Sequence, residues 1–232
     1  MELKANDKKQ VEITMNGDVY SRYALKTHFV KQGEDYIDLF KQYVLPYYQD
    51  GDIVSSSEKI IALCQQRVVK RSDMKVGFWA NFLSKFASHP TTGIGVGEAI
   101  KMQFAIDTVG LPKVLWASIA SAFTKLFGKK GVFYEIVGQE VSGLDGFYDH
   151  VWSEYRDIGI LLPENPEKVC NEVKEKLGIS VMIVDANDFG QEILGKSDDI
   201  ELSDDELRQL ISDNPAGQNK ELTPFILIRK NK

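Results

Sequence analysis

"ISVMIVD", residues 179–185, is apolar at every position except Ser180 and the closing Asp185. A strand with one wet face alternates apolar and polar residues. A run without alternation reads as a strand buried on both faces, the kind found in parallel sheets. The stretch before it, "PENPEKVCNEVKEKLG" (163–178), reads as a helix with Pro166 near its start and Gly178 as its stop. After it, "SDDELRQLISD" (203–213) opens with Ser203 and Glu206 in capping-box spacing, and "TPFILIRK" (223–230) is a closing strand. At the other end, "VEITMNGDVYSRYALKTHFV" (11–30) predicts two strands around Asn16-Gly17. A helix over "GEDYIDLFKQYV" (33–44) puts Ile37, Phe40 and Val44 on one face, and "DGDIVSSSEKII" (50–61) gives a turn and a short strand.

The middle of the chain is richer in helices. "MKVGFWANFLSKFA" (74–87) spaces Phe78, Phe82 and Phe86 by four and predicts an amphipathic helix whose aromatic stripe is core. Trp79, Trp116 and Trp152 are also expected in the core. A glycine-rich loop at 89–98 leads into a helix ending near Val109. Residues 112–127 form another helix, with Leu115, Ile119, Phe123 and Leu126 as its apolar face. "GVFYEIVGQEV" (131–141) is a strand by composition. Strands and helices mix without strict alternation, so the expected class is α+β, a mixed sheet with packed helices. The 232 residues suffice for one large domain or two lobes.

Composition removes several functions. Hydrophobic residues at 43% and charged residues at 27% fit a soluble globular chain, and a net charge of −6 argues against a nucleic-acid binder. The start lacks a secretory h-region. "KVLWASIASAF" (113–123) is too short and too serine-interrupted to span a bilayer, so no membrane partner and a cytoplasmic location are expected. Cys64 and Cys170 have neither disulfide-framework nor zinc spacing and read as reduced thiols.

Chemistry concentrates on carboxylates. In "SGLDG" (142–146) Gly143 and Gly146 bracket Asp145, and Asp185 ends its strand with Asn187, Asp188 and Gln191 close behind. Acids at strand ends can converge on a hard cation such as Mg or Mn, although Asp, Asn and Gly are also ordinary turn residues. Gly93 and Gly95 precede a helix and suit either an anion loop or a flexible turn, without the Lys-Ser/Thr of a P-loop. Lys59 and Arg67 can neutralise phosphate or lie on the surface, and His28 faces either a site or solvent.

Taken in order, "DGDIVSSSEKIIALCQQRVV" (50–69), "SGLDG", "GILLPENPEKV" (159–169) and "VMIVDANDFGQEILG" (181–195) resemble successive elements of the gamma-glutamyl ligases of the deazaflavin coenzyme F(420). The resemblance covers most of the chain, from about Lys26 to Gly195. It implies the ligase fold, a homodimer, and amide formation between glutamate and a carboxylate-bearing acceptor. The cofactors and co-substrates it implies are GTP, or alternatively ATP, with Mn or Mg and a monovalent cation such as K. On this alignment Asp145 and either Asp185 or Asp188 are metal ligands. The glycines flanking Asp145, Gly143 and Gly146, would let nucleotide phosphate approach, and Lys59 and Arg67 would supply positive charge. Gly93 and Gly95, if an anion loop, and His28, if it faces the site, are the further candidates for nucleotide binding and for catalysis. The chain departs from the family pattern at Ala62, Leu63, Gln65 and Gln66, in "QEIL" (191–194), and in the insert at 93–131. The alternative is a binding protein that keeps the fold without transfer chemistry. A kinase or phosphatase using the glycine loop is a third reading.

Overall fold

A computed structural model describes residues 3–87, 95–129, 131–147, 153–187, 190–217 and 220–231. The class is α+β, with a mixed six-stranded sheet and packed helices. The chain forms two compact units: residues 1–67 with 163–232, and the inserted stretch 68–162.

The first unit begins with a hairpin of β1 (Glu12–Met15) and β2 (Asp18–Leu25). Asn16 and Gly17 turn the chain with φ of 54° and 89°, the left-handed pair that matches strand twist. In α1 (Tyr36–Leu39) the Asp35 side chain accepts the Ile37 N–H as a cap, and the helix widens into a π-turn over Phe40–Val44. β3 (Ile53–Ser57) runs straight into α2 (Glu58–Cys64).

The inserted unit contains β4 (Val68–Lys70), α3 (Phe78–Ser84), α4 (Ala99–Val109), α5 (Leu111–Leu126), α6 (Val132–Val137), α7 (Gln139–Ser142), β5 (Asp145–Gly146) and β6 (Ile158–Ile160). Its small sheet has the order β4-β6-β5, all antiparallel. Returning to the first unit, the chain makes α8 (Pro166–Leu177), β7 (Val181–Asn187), β8 (Gly190–Lys196), α9 (Asp204–Leu210) and β9 (Phe225–Lys230).

The large sheet has the order β1-β2-β9-β3-β7-β8. β3 and β7 are parallel, and the other neighbouring strands are antiparallel. One face carries Leu25, Val54, Ile183 and Leu227 against Val169 and Val173 of α8. The opposite face carries Met15, Met182, Ile226 and Ile228 against Leu207 and Leu210 of α9. Helices on both faces explain the unbroken apolar run of β7: Val181 and Ile183 serve one core, Met182 and Val184 the other. The capping box is present as expected, with the Ser203 hydroxyl accepting from the Glu206 N–H. Among the described residues no helix is long and apolar enough to cross a membrane.

Two expectations for the inserted unit are overturned. "GVFYEIVGQEV" is not a strand but two short helices, α6 and α7. Phe133, Val137 and Val141 recur every fourth residue and are all buried, so helical spacing outweighs strand propensity. The aromatic stripe is not core: Phe78 is 73%, Phe82 43% and Phe86 74% exposed, while the buried side of α3 is Ala80 and Ser84. Trp79 and Trp116 are likewise exposed, and Trp152 lies outside the described residues. On α5 the buried positions are Val114 and Ala117, so Ile119, Phe123 and Leu126 also face outward. Periodicity identifies one helix face; it does not say which face a neighbour covers.

Candidate functional site

The registers of the large sheet bring several predicted residues of the first unit to one edge. Leu25 pairs with Phe225, Phe225 with Ser56, and Ser56 with Ile183, a straight row across β2, β9, β3 and β7. β2, β3 and β7 all point the same way, so their carboxyl ends share an edge. Two further bonds extend it: Thr27 N–H donates to Leu222 O and Ser57 N–H to Pro224 O, each at 2.8 Å. Beyond that row come His28 after β2, Lys59 after β3 and Asp185 within β7, which does not end there as expected but runs on to Asn187. Four strands at a spacing of roughly 4.8 Å make this edge about 14 Å wide, enough for a substrate of cofactor size. Carboxyl ends of parallel strands are where ligands lie in open sheets.

Each group on the edge is held by its surroundings. His28 stands between Tyr43 and Glu34, with Nδ1 2.7 Å from the tyrosine oxygen and Nε2 2.7 Å from Glu34 Oε2. The carboxylate only accepts, so Nε2 donates to it and Nδ1 of a neutral ring takes the tyrosine O–H. Lys59 is half-buried in the first turn of α2. Val184 pairs with Ser57, so the next residue, Asp185, comes alongside the start of that helix. Asp185 lies directly opposite Glu192 of β8. Side chains opposite each other on antiparallel strands point to the same face about 5 Å apart, where two like charges repel. The sequence does not reveal this pairing, because it depends on the β7–β8 register. Ser56 is fully buried, and its hydroxyl meets no hydrogen-bond partner among the described residues.

Arg67 is not on the edge. It lies past the C-cap of α2, roughly 10 Å from Lys59 by the length of the helix. Its guanidinium pairs with Glu164 at 3.0 Å. Gln65 grips the backbone of the same glutamate, donating to its carbonyl at 2.9 Å and accepting its N–H at 2.8 Å. Arg67 therefore ties α2 to the loop before α8. Asp188 and Gly93 lie outside the described residues.

Asp145, Gly143, Gly146 and Gly95 belong to the inserted unit. Asp145 is half-buried in β5 and accepts the Gly146 N–H at 2.9 Å. Both bracketing glycines have packing reasons. A Cβ on Gly143 would stand 2.4 Å from Leu162, and one on Gly146, at φ 103°, would stand 2.4 Å from the Ile158 carbonyl oxygen. Gly95 is buried, and its carbonyl accepts from Glu98 in the turn before α4.

Beneath the Asp145 turn lies a residue the sequence does not single out, Lys101 of α4, only 3% exposed. Its ammonium donates to Ser142 O at 3.1 Å and Leu144 O at 2.8 Å and lies 5.5 Å from the centre of the Tyr134 ring. Burial lowers its pKa to about 8, against the opposing pull of the Asp145 carboxylate. A fixed cation thus already stands beside Asp145.

Elsewhere in this unit, Lys70, Arg71, Ser72, Asp157 and Ile158 line an open groove of about 520 Å³ that contains none of the predicted residues. The thiols are quiet. Burial, helped by Glu34 and Asp35, pushes Cys64 up to about 12, and burial does the same for Cys170. Among the described residues no three His, Cys, Asp or Glu side chains cluster as a metal site.

No family model matches the chain. An uncharacterized protein of Methanocaldococcus jannaschii is similar, 24% identical over 176 residues that cover 71% of this chain and 56% of that protein. The chain therefore spans little more than half the length of the curated relative it matches.

Proposed function

We propose that the chain is a gamma-glutamyl ligase-like enzyme whose site lies on the carboxyl edge of the large sheet. The observation that carries this reading is the Asp185–Glu192 pair facing across β7 and β8, in the carboxyl half of the strand beside the one that delivers Lys59. Two opposed carboxylates make a donor set of hard oxygens, suited to Mg or Mn, and a divalent ion relieves their repulsion. Such an ion, when bound, neutralises nucleotide phosphate.

In the reaction, the γ-phosphoryl group of GTP or ATP passes to an acceptor carboxylate, releasing the nucleoside diphosphate and leaving an acyl phosphate. The glutamate amine then attacks the acyl carbon; the C–O bond to phosphate breaks, the amide forms and the amine gives up a proton. Lys59 supplies fixed positive charge near the transferred group. His28 stands at the same edge, held between Glu34 and Tyr43. The resemblance to the deazaflavin ligases supplies the reaction class, and with it a cytoplasmic homodimer.

Calorimetric titration of GTP and then ATP, with and without Mn or Mg, tests the reading. Binding should require metal, vanish with chelator and weaken at least about ten-fold in Asp185→Asn and Glu192→Gln. Metal-dependent binding untouched by both substitutions would remove the edge as the site. A second reading is a binding protein without transfer chemistry. Lys101 favours it, because an ammonium occupies the surroundings of Asp145, a carboxylate the resemblance gives to metal. Metal-independent nucleotide binding without glutamate consumption would select that reading.

A further inference from the structure

The exposed apolar faces of α3 and α5 are left unused by the proposed function. On α5, Trp116, Ile119, Phe123 and Leu126 are 62–82% exposed, opposite the buried Val114 and Ala117. Along α3 and just past its end, Phe78 stacks on Phe82 with centroids 6.0 Å apart and Phe82 meets Phe86 edge-on at 5.2 Å, opposite Ala80 and Ser84. Large aromatics outside a core need a reason when they gather on one helix face.

Charge identifies the occupant. Residues 75–131 carry seven lysines against only Glu98 and Asp107, a surplus of five positive charges within a chain of net charge −6. Lys75 and Lys85 flank α3, Lys113 opens α5, and Lys125 and Lys129 lie at its far end, all exposed, with Lys129 paired to Glu135 at 3.1 Å. An aromatic and aliphatic face bordered by lysines, on helices too short to cross a bilayer, is the pattern of a helix that lies in the headgroup layer. A second copy docked face to face would instead oppose lysine to lysine.

We propose that α3 and α5 form a peripheral docking surface for an anionic lipid bilayer. The rings and Leu126 enter the boundary between headgroups and acyl chains, and the lysines meet lipid phosphates. This holds whether or not the sheet edge forms amide bonds. It departs from the expectation of no membrane partner, and it needs no spanning helix: among the described residues none is long and apolar enough to cross a membrane.

The test is flotation of the full chain with vesicles of phosphatidylcholine alone and of an equal mixture of phosphatidylcholine and phosphatidylglycerol, with tryptophan emission read in parallel. The expected result is flotation and a blue shift with the mixed vesicles only, reversed at high salt. Phe123→Ser with Leu126→Ser, and separately Phe78→Ser with Phe86→Ser, should each weaken partitioning at least ten-fold, on the order expected for losing two buried side chains. Lys113→Gln with Lys125→Gln should weaken it about 25-fold, a factor of about five per lysine near an anionic surface. No flotation with mixed vesicles at low salt overturns the proposal, as does flotation that all three pairs leave unchanged. A concentration-dependent dimer dissolved by the α5 pair, in place of vesicle binding, overturns it in favour of a second copy.

Discussion

Replacing Lys101 by methionine isolates the electrostatics of the Asp145 turn. Methionine fills nearly the same volume, so the core around α4 keeps its packing while the buried ammonium is lost. The native lysine titrates near 8, whereas the unfolded chain holds its proton up to about 10.5. Between those values the unfolded state binds one more proton than the folded one, so stability rises with pH. The cost of burying the charge is fully present below pH 8 and is relieved as pH climbs toward 10.5. A shift from 10.5 to about 8 corresponds to about 3 kcal/mol. Wild type should therefore gain on the order of 3 kcal/mol relative to Lys101→Met between pH 7 and pH 10.5. Other titrating groups act equally in both proteins and cancel in the difference. Urea unfolding followed by tryptophan fluorescence is the suitable assay, because Trp79, Trp116 and Trp152 all fall in the unit that contains Lys101. Parallel stability curves, agreeing within about 0.5 kcal/mol over this range, would refute the assignment of a buried, proton-releasing lysine.

Three further outcomes follow from packing and burial. Asp213→Ala should destabilise the first unit by about 3–5 kcal/mol in urea titration, because it strands the Arg22 guanidinium, 1% exposed, with the Leu210 and Gln10 carbonyls as its remaining acceptors among the described residues. A loss below about 1 kcal/mol would mean that water reaches that guanidinium. Gly146→Ala should cost about 2–4 kcal/mol and Gly143→Ala about 1 kcal/mol: the first clashes with backbone at positive φ, the second with a leucine side chain that can turn aside. Equal melting temperatures for the two variants would contradict this. Iodoacetamide at pH 8 should label Cys64 and Cys170 only on unfolding, since burial holds both thiols near 12; rapid labelling of the native protein would contradict that.

Much of the sheet is legible in the sequence because its signals are local. The Asn16-Gly17 turn, the Ser203–Glu206 capping box, Pro166 and Gly178 around α8, and the unbroken apolar run of β7 each fix an element within a few residues. The inserted unit is harder to read. There Gly131 and Gly138, with φ of 87° and 100°, cut a β-prone sequence into two short helices, and composition outvotes spacing when the eye meets Val, Phe, Tyr and Ile together. The site divides in the same way. Asp185, Lys59 and His28 can be picked out as types at strand ends, but their shared edge depends on β9, more than 160 residues from β3, inserting between β2 and β3. Glu192 and Lys101 carry no local signal, since one gains its meaning from a register and the other from burial.

The distribution of charge follows from the same architecture. The sheet unit, residues 1–67 and 163–232, carries 18 Lys and Arg against 25 Asp and Glu, a net charge of −7. An acidic sheet unit repels phosphate, so a nucleotide at the carboxyl edge needs local cations, and Lys59 together with a metal on Asp185 and Glu192 would provide them. The basic stretch, residues 75–131, belongs to the inserted unit. Its lysines accompany exposed aromatics, and the repulsion that would keep an acidic protein away from anionic lipid is weakest there. An acidic protein with one basic, aromatic-faced pair of helices would approach such a surface in one orientation. Reversing the lysines should therefore abolish vesicle binding while leaving nucleotide titration at the sheet edge unchanged. Loss of both together would show that the two surfaces are not independent.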